Sequence, residues 1–328
     1  MGADTKITWA THSFNPWIGC TKVSPACAHC YAENYALRYG RTEWGPGKAR
    51  VRTSAANWKK PLSWDREAKA LGTRPRVFCA SLADWLDDDG VPIEWLCDLL
   101  VLIRATPHLD WLLLTKRPEN WYSRISEAAT VEGSDDSIES WVDCIDMPER
   151  GVIPENVWIG VTAENQECAD KRIPHLLSIP AKVRFLSCEP LLGPVLLRSL
   201  RDADDPLAWT DSLTGYRMCD GMNEAVQGER IHWVIAGGES GPHARPSHPE
   251  WFRLLRTQCV AAGVAFNFKQ WGEWGPCCTC TPFHANKLPV HGFNDGIHLV
   301  RAEKKRAGRM LDGQEWNEFP ALGGGREL

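Results

Sequence analysis

Residues 15–32, NPWIGCTKVSPACAHCYA, are the stretch from which the rest of the chain can be interpreted. Cys20, Cys27 and Cys30 lie within eleven residues in a C-x6-C-x2-C spacing, and the next cysteine is Cys79. Three cysteines suit an iron–sulfur cluster with one open iron, because cysteine thiolates are the usual cluster ligands. A structural zinc site normally has four ligands, so His29 would have to bind beside Cys30. We favour the cluster over zinc and over three unrelated thiols.

Outside this stretch, short apolar segments alternate with segments of helical spacing. Seven predicted strands follow this rhythm, at residues 7–9, 76–81, 110–115, 157–161, 182–186, 231–236 and 264–268. Strands that alternate with helices favour a parallel sheet with right-handed crossovers. The predicted fold is therefore α/β, a full or partial parallel (β/α) barrel with surface insertions.

Polar side chains follow most of the predicted strands. They are Ser81, Asp84, Lys116, Glu164, Glu189, Glu239 and Lys269. The carboxyl ends of barrel strands are where active sites form, so these residues are candidates for catalysis or ligand binding. Some of them could instead cap the helices that follow, a role that acidic side chains often take.

The predicted domain organisation is a barrel at 1–272 and a C-terminal extension at 273–328 that packs on it. Insertions are expected near 130–150, where seven acids predict a mobile surface segment, and near 198–230, where the apolar pattern is weak. The extension carries Cys277, Cys278 and Cys280, with His284 and His291 behind them. These residues could form a second zinc or cluster site, although their spacing matches no recognised ligand set.

The composition limits the functions that the chain can have. Its 328 residues have a net charge of -5, which argues against a protein that coats nucleic acid non-specifically. The exception is residues 38–60, where seven basic residues and one acid suggest a phosphate contact, with Arg50, Arg52, Lys59 and Lys60 as candidates. The alternative is an ordinary solvated loop. Thirteen cysteines without a regular framework, and no apolar run long enough for a signal peptide or a membrane span, predict a cytoplasmic protein without a membrane partner.

Two family resemblances rest on specific residues. The segments NPWIGC (15–20) and CAHCYA (27–32) resemble the cluster loop of the radical S-adenosylmethionine superfamily, in the branch that includes spore photoproduct lyase. Here the first spacing is three residues longer than the usual C-x3-C, and His29 replaces an aromatic residue. Nearly the whole chain also resembles a phage and bacterial "three-Cys-motif" family of no settled activity, through LTKRP (114–118), SCEPLLGP (187–194), GGESG (237–241) and KQWG (269–272).

The first resemblance implies a fold of the radical S-adenosylmethionine type and its chemistry. Cys20, Cys27 and Cys30 would bind three irons of a 4Fe–4S cluster, and S-adenosylmethionine would chelate the fourth. An electron from a donor would then generate a 5′-deoxyadenosyl radical. Residues 237–239, Gly-Gly-Glu, resemble the tripeptide that holds the methionyl amine, although here they follow a late strand.

The roles that we assign to the remaining candidates follow from this chemistry. The expected cofactor-binding residues are Tyr31, Ser81, Asp84, Glu164, Gly237, Gly238 and Glu239, and the expected catalytic residues are Lys116, Glu189 and Lys269. The predicted activity is modification or repair of a nucleic acid or a nucleotide. The alternative is a non-enzymatic iron–sulfur or zinc module that recognises nucleic acid or a partner protein.

Overall fold

The computed structural model describes residue 5 and residues 7–201, 208–218, 224–276 and 288–321. The chain divides into two compact units. The first unit contains residues 1–161 and 174–184, and the second contains residues 162–173 and 185–328. The predicted boundary between a barrel and a C-terminal extension near residue 272 stays a prediction.

The first half of the chain alternates short strands with helices. Its elements are β1 (His12–Ser13), β2 (Trp17–Ile18), α1 (Tyr31–Arg38), β3 (Val51–Arg52), α2 (Ala55–Trp58), α3 (Lys60–Leu71), β4 (Arg76–Cys79), α4 (Ile93–Arg104), β5 (Asp110–Thr115), α5 (Trp121–Ala129), α6 (Asp136–Asp146) and β6 (Val157–Thr162).

The second half continues the alternation and adds small antiparallel sheets. Its elements are α7 (Gln166–Ser178), β7 (Val183–Cys188), β8 (Leu200–Arg201), β9 (Trp209–Thr210), β10 (Tyr216–Met218), β11 (Val226–Gln227), β12 (Trp233–Gly237), α8 (Pro249–Ala262), β13 (Ala265–Gln270), β14 (Trp274–Pro276), β15 (Val290–Gly292), β16 (His298–Arg301), α9 (Lys304–Ala307), β17 (Met310–Leu311) and β18 (Gln314–Glu315).

The main sheet is parallel and has seven strands in the order β1-β4-β5-β6-β7-β12-β13. Every residue of β6 and β7 is buried, which is typical of strands covered on both faces. Helix α4 connects β4 to β5 and α8 connects β12 to β13, as parallel neighbours require. The α/β class is confirmed, and an open order of seven strands is consistent with a partial barrel.

The first strand was predicted in the wrong place. Residues 8 and 9 form a turn, and the strand is β1, which pairs with β4. Trp9 is buried and packs edge-on against Phe78, with ring centroids 4.7 Å apart. Residues 7–9 are therefore apolar because Trp9 packs in the core, and not because they form a strand.

The two predicted insertions both contain regular structure. The acidic segment 130–150, expected to be mobile, forms α6, whose Trp141 is buried against Trp121 of α5. Residues near 198–230 contribute the antiparallel sheet β11-β10-β9-β8. At the start of α8, His248 is the N-cap residue, and the neighbouring Ser247 donates to Leu191 O (2.6 Å).

The C-terminal segment is described only in part. Strands β14, β16 and β15 form a three-stranded sheet that contains His291. Cys277, Cys278, Cys280 and His284 lie outside the described residues, so the prediction of a second metal site there stays untested. None of the described helices has the length and apolar character that a bilayer crossing requires.

Candidate functional site

The backbone of the cysteine stretch is fixed at both of its ends. Gly19 follows β2 with φ +118, a conformation that favours glycine, and its N–H donates to Leu82 O (3.1 Å). Pro25–Cys27 form a short 3₁₀ helix, and Cys30 is the N-cap residue of α1. We call residues 20–30 the cysteine loop. It runs from a short strand to the N-terminus of a helix.

The three thiols of the cysteine loop differ from most other cysteines. Cys20, Cys27 and Cys30 are partly exposed, whereas Cys79, Cys97, Cys168, Cys188 and Cys259 are buried. Cys144, on α6, is the other described cysteine that is partly exposed. Buried thiols behave as small apolar side chains, so the cysteine loop contains the cysteines that are suited to bind a ligand.

Both ends of the cysteine loop are influenced by cations. Burial raises the pKa of Cys20 to about 12, Asp84 adds to the rise, and Arg117 opposes it. Burial also raises the pKa of Cys30, against the backbone amides of Glu33 and Ala32 and the charge of Lys116. The two cations are consecutive residues that follow β5. They bring positive charge to two of the three thiols.

Arg117 is buried and is held by contacts on several sides. Its Nη1 donates to Cys20 Sγ (3.6 Å) and to Asp84 Oδ2 (3.0 Å). Its Nη2 donates to Thr21 O (2.8 Å) and lies 3.4 Å from Asp87 Oδ1. Arg50 pairs with the same Asp87 at 3.0 Å. We call Arg50, Asp84, Asp87 and Arg117 the buried charge network; it contains two cations and two anions.

Asp84, expected to bind a cofactor, is the centre of this network. It accepts hydrogen bonds from Thr115 Oγ1 (2.6 Å), the Lys116 amide (2.8 Å) and Arg117 Nη1. These bonds fix the turn after β5 and, with it, the direction of Arg117. The carboxylate therefore positions the two cations rather than presenting free oxygens.

Tyr31 and Ser81, also expected to bind a cofactor, lie close to the cysteine loop. The Tyr31 hydroxyl donates to Ser81 O (2.5 Å), while 61% of the tyrosine remains exposed. Ser81 Oγ exchanges hydrogen bonds with the Asn15 side chain, which also accepts from the Leu82 amide (2.6 Å). These contacts join the first turn of α1 to the loop after β4.

The chemistry of the donor set fits a cluster. Among the described residues, which include the whole cysteine loop, no three or more His, Cys, Asp or Glu side chains form a group that could hold a metal ion. Zinc with His29 as a fourth ligand and a cluster on the three thiols therefore both stay predictions. The ligands of a four-iron cluster bind different irons and need not converge on one point. Three partly exposed thiols, two of them influenced by cations, suit an anionic cluster.

The predicted phosphate contacts differ in accessibility. Arg50 is buried, and its donors are used by Asp87, Thr21 Oγ1 (2.8 Å) and Lys48 O (2.8 Å). These contacts engage the guanidinium of Arg50 inside the first unit, and its predicted role as a phosphate contact stays a prediction without support from its surroundings. Arg52 pairs with Asp98 (2.6 Å) and lies over the Trp58 ring at 4.2 Å. Lys59 is exposed and Lys60 is half-buried.

In the second unit, two of the candidate carboxylates are closed in ion pairs. Glu164 is fully buried and accepts from Arg172 Nη1 at 2.7 Å. Glu239 is also buried, and it accepts from the Arg245 amide (2.7 Å), Nε (2.8 Å) and Nη2 (2.6 Å). These pairs satisfy both carboxylates within the second unit.

Glu189 and Lys269 pair with each other. Lys269 Nζ donates to Glu189 Oε2 at 2.6 Å, and Glu189 Oε1 is buried without a hydrogen-bond partner among the described residues. This oxygen is an acceptor that a ligand could use, because a buried acceptor without a donor is costly. The catalytic roles predicted for the two residues stay predictions.

The glycines of the predicted cofactor tripeptide have a local structural role. A Cβ on Gly238 would lie 1.8 Å from Trp271 O, and one on Gly237 would lie 3.2 Å from Glu189 Oε2. The Gly238 N–H donates to Gln270 O (2.9 Å), and Gly272, at φ +83, would bring a Cβ within 2.2 Å of Glu239 O. The segments GGESG and KQWG are therefore each other's packing partners.

Sequence reasoning did not assign a site role to Arg117 or to Asp87. Arg117 belongs to the quoted segment LTKRP, in which the predicted site residue was its neighbour Lys116. A usable signal was the group of acids after β4, together with the two consecutive cations that follow the neighbouring strand β5. The acids are Asp84, Asp87, Asp88 and Asp89. Adjacent parallel strands place such groups at one edge of a sheet.

One family model matches nearly the whole chain. A family model described as "Protein of unknown function (DUF5131)" matches residues 4–320, so the chain belongs to this family. No curated protein matches the chain, and no solved structure does. The family description gives no activity, and it does not include the radical S-adenosylmethionine superfamily.

Proposed function

We propose that this DUF5131 protein is a 4Fe–4S enzyme of the radical S-adenosylmethionine type, with Cys20, Cys27 and Cys30 as the cluster ligands. The observation that carries the proposal is the cysteine loop, with its three partly exposed thiols and with Arg117 Nη1 3.6 Å from Cys20 Sγ. Thiolates bind metal only after losing their protons. Burial opposes that loss at Cys20 and Cys30, and the charges of Arg117 and Lys116 partly offset the effect of burial.

Cys20, Cys27 and Cys30 would hold the cluster, which when bound would supply one-electron reduction of the sulfonium of S-adenosylmethionine, with the electron coming from an external low-potential donor. The chain would hold the three ligands at the end of β2 and the start of α1. Arg117 would offset the charge at Cys20, and Lys116 would do so at Cys30. The backbone amides of Ala32 and Glu33, in the first turn of α1, favour negative charge on Cys30 as well.

We propose further that the substrate is a nucleic acid or a nucleotide. The support is the exposed part of residues 38–60, where Arg38, Arg41 and Lys59 are exposed cations. Arg38 lies in the last turn of α1, eight residues after Cys30, which is about 12 Å along a helix. A phosphate held there would bring the adjoining sugar or base towards the cysteine loop. Arg50 takes no part in this contact, since the buried charge network holds it.

Anaerobic reconstitution with iron and sulfide tests the proposal. We expect about four irons per chain and a yellow-brown absorbance. Dithionite and S-adenosylmethionine should then yield 5′-deoxyadenosine. Replacing Cys20, Cys27 and Cys30 by Ala should abolish iron binding, the absorbance and the formation of 5′-deoxyadenosine. Cys144→Ala is the matched control, because Cys144 is also partly exposed but lies on α6, outside the cysteine loop.

The outcomes separate the proposal from its alternative. A chain that binds zinc and no iron would fit the non-enzymatic module. A loaded cluster that never cleaves S-adenosylmethionine would leave an iron–sulfur binding protein. Iron binding that survives loss of all three cysteines would contradict the assignment of ligands.

A further inference from the structure

We infer that Arg117 is a positioning residue that raises the reduction potential of the group held by the cysteine loop. The inference rests on the proposed function, because it concerns the group that Cys20, Cys27 and Cys30 would bind. It concerns the Arg117 side chain first. It also involves Asp84 and Asp87, because these two carboxylates hold the guanidinium in place.

The contact between Arg117 and Cys20 is built into the structure. The Nη1 nitrogen is shared between Cys20 Sγ (3.6 Å) and Asp84 Oδ2 (3.0 Å), while Nη2 is occupied by Thr21 O (2.8 Å). Arg117 is 5% exposed, so water does not compete strongly for these donors. The planar guanidinium can serve a sulfur, a carboxylate and a carbonyl at once, which an ammonium group cannot do in the same geometry.

A hydrogen bond and a positive charge at a ligating sulfur favour the more negative, reduced state of a cluster. Hydrogen bonds to the sulfurs and the net charge of the surroundings are among the properties that set cluster potentials. The effect is strengthened because a buried charge is screened less by solvent than an exposed one. Arg117 therefore favours reduction, and the charges of Asp84 and Asp87 act in the opposite direction.

The buried charge network explains why this balance is stable. Arg50 pairs with Asp87 at 3.0 Å, and both side chains are fully buried. Asp87 is thus shared between two arginines, and Asp84 is left as the closest acid to the contact between Arg117 and Cys20. Removing Arg117 or Asp84 should change the charge at the sulfur in opposite senses.

The test is a redox titration of the reconstituted protein, followed by absorbance and electron paramagnetic resonance. For Arg117→Gln we expect the ratio of reduced to oxidised cluster at a fixed potential to fall about tenfold, which is about 59 mV for one electron. Arg117→Lys, which keeps the charge but not the fork of donors, should give a smaller shift in the same direction. Asp84→Asn should shift the potential upwards. Arg124→Lys is the control, a buried arginine of the same unit whose partners are Glu127 and Val91 O.

A merely structural role for Arg117 would lower the iron content or the stability without moving the potential. Equal potentials for the wild type, Arg117→Lys and Arg117→Gln would overturn the inference while leaving the cluster intact. Shifts of Arg117→Gln and Asp84→Asn in the same direction would also overturn it. If Arg117→Gln does not fold, Arg117→Lys and Asp84→Asn still decide the question. A wild-type protein that binds no iron would instead refute the proposed function, and the inference with it.

Discussion

Buried charges are arranged differently in two regions of the molecule: the buried charge network beside the cysteine loop, and the strand-end carboxylates of the second unit. In the first unit, Arg117 is held by Asp84 and Asp87 and still donates to the thiol of Cys20. In the second unit, Glu164 is closed by Arg172, and Glu239 is closed by Arg245. The difference teaches that a charged residue at the end of a strand is not in itself a ligand-binding residue. What matters is whether its partners leave a donor or acceptor for something else.

The largest effect on stability is expected for the loss of Arg50 from the buried charge network. Arg50→Ala removes one partner of a fully buried ion pair and leaves Asp87 with the charge of Arg117 and the hydrogen bond from the Asp89 amide. Breaking a buried pair in this way should lower the free energy of unfolding by about 3–5 kcal/mol. Urea denaturation, followed by tryptophan fluorescence, measures the change.

Lys59→Ala is the matched control, because Lys59 belongs to the same basic segment but is exposed. It should change the free energy of unfolding by no more than about 0.5 kcal/mol. Equal stabilities of the two variants would mean that the buried charge network contributes nothing to the fold.

A smaller loss of stability is expected from breaking an ion pair of the second unit. This result would sharpen the contrast between the two regions. Glu164→Gln keeps the shape of the side chain but leaves the buried Arg172 without its anion, so stability should fall by about 2 kcal/mol. The iron content and the reduction potential should stay at their wild-type values. Glu167→Gln, an exposed neighbour on α7, is the control for stability.

The result for Glu164 could also break the comparison. Unchanged stability together with weaker binding of S-adenosylmethionine would show that Glu164 serves the cofactor, as its position at the end of β6 first indicated. The closed ion pair would then be a resting partner that the ligand replaces.

The smallest effect on stability is expected for the basic segment, where the readout is binding. Removing two phosphate contacts by Lys59→Ala with Lys60→Ala should make the dependence of log K on log[salt] shallower by about 1.8 for duplex DNA. Lys69→Ala, an exposed lysine later on α3, should leave the slope unchanged. If the wild type shows no salt-dependent binding to DNA or RNA, the proposed substrate class is wrong and the cluster proposal is unaffected.

The sheet could be predicted from sequence because its strands are nearly continuous apolar runs. The runs at β5, β6 and β7 are long enough, and are separated by segments long enough for helices, to indicate parallel pairing. Helix α6 was missed because the acids along 130–150, four of which lie in the helix, were interpreted as the sign of a mobile surface segment. The spacing of Ile138, Trp141 and Val142 nevertheless gives it a buried face, and periodicity was the better guide than charge.

The site was predicted less completely, since pairing in three dimensions decides which charges are available. Counting cations along residues 38–60 gives Arg50 and Lys59 the same weight, although one is buried and the other is exposed. Arg117 lies 97 residues from Cys20 in the sequence, and their contact depends on how β5 meets the cysteine loop. Neither composition nor periodicity contains that information.

The close packing of the glycine turns has a consequence for how relatives of this protein should be sampled. Gly238 and Gly272 are required by neighbouring backbone atoms, which would clash with a Cβ whether or not any metal is bound. A search profile weighted towards these turns will therefore find proteins that share the fold, whether or not they share the metal site. Sorting the collected genes by whether they encode the three thiols and the arginine after β5 would separate candidates that retain the chemistry from those that have kept only the scaffold.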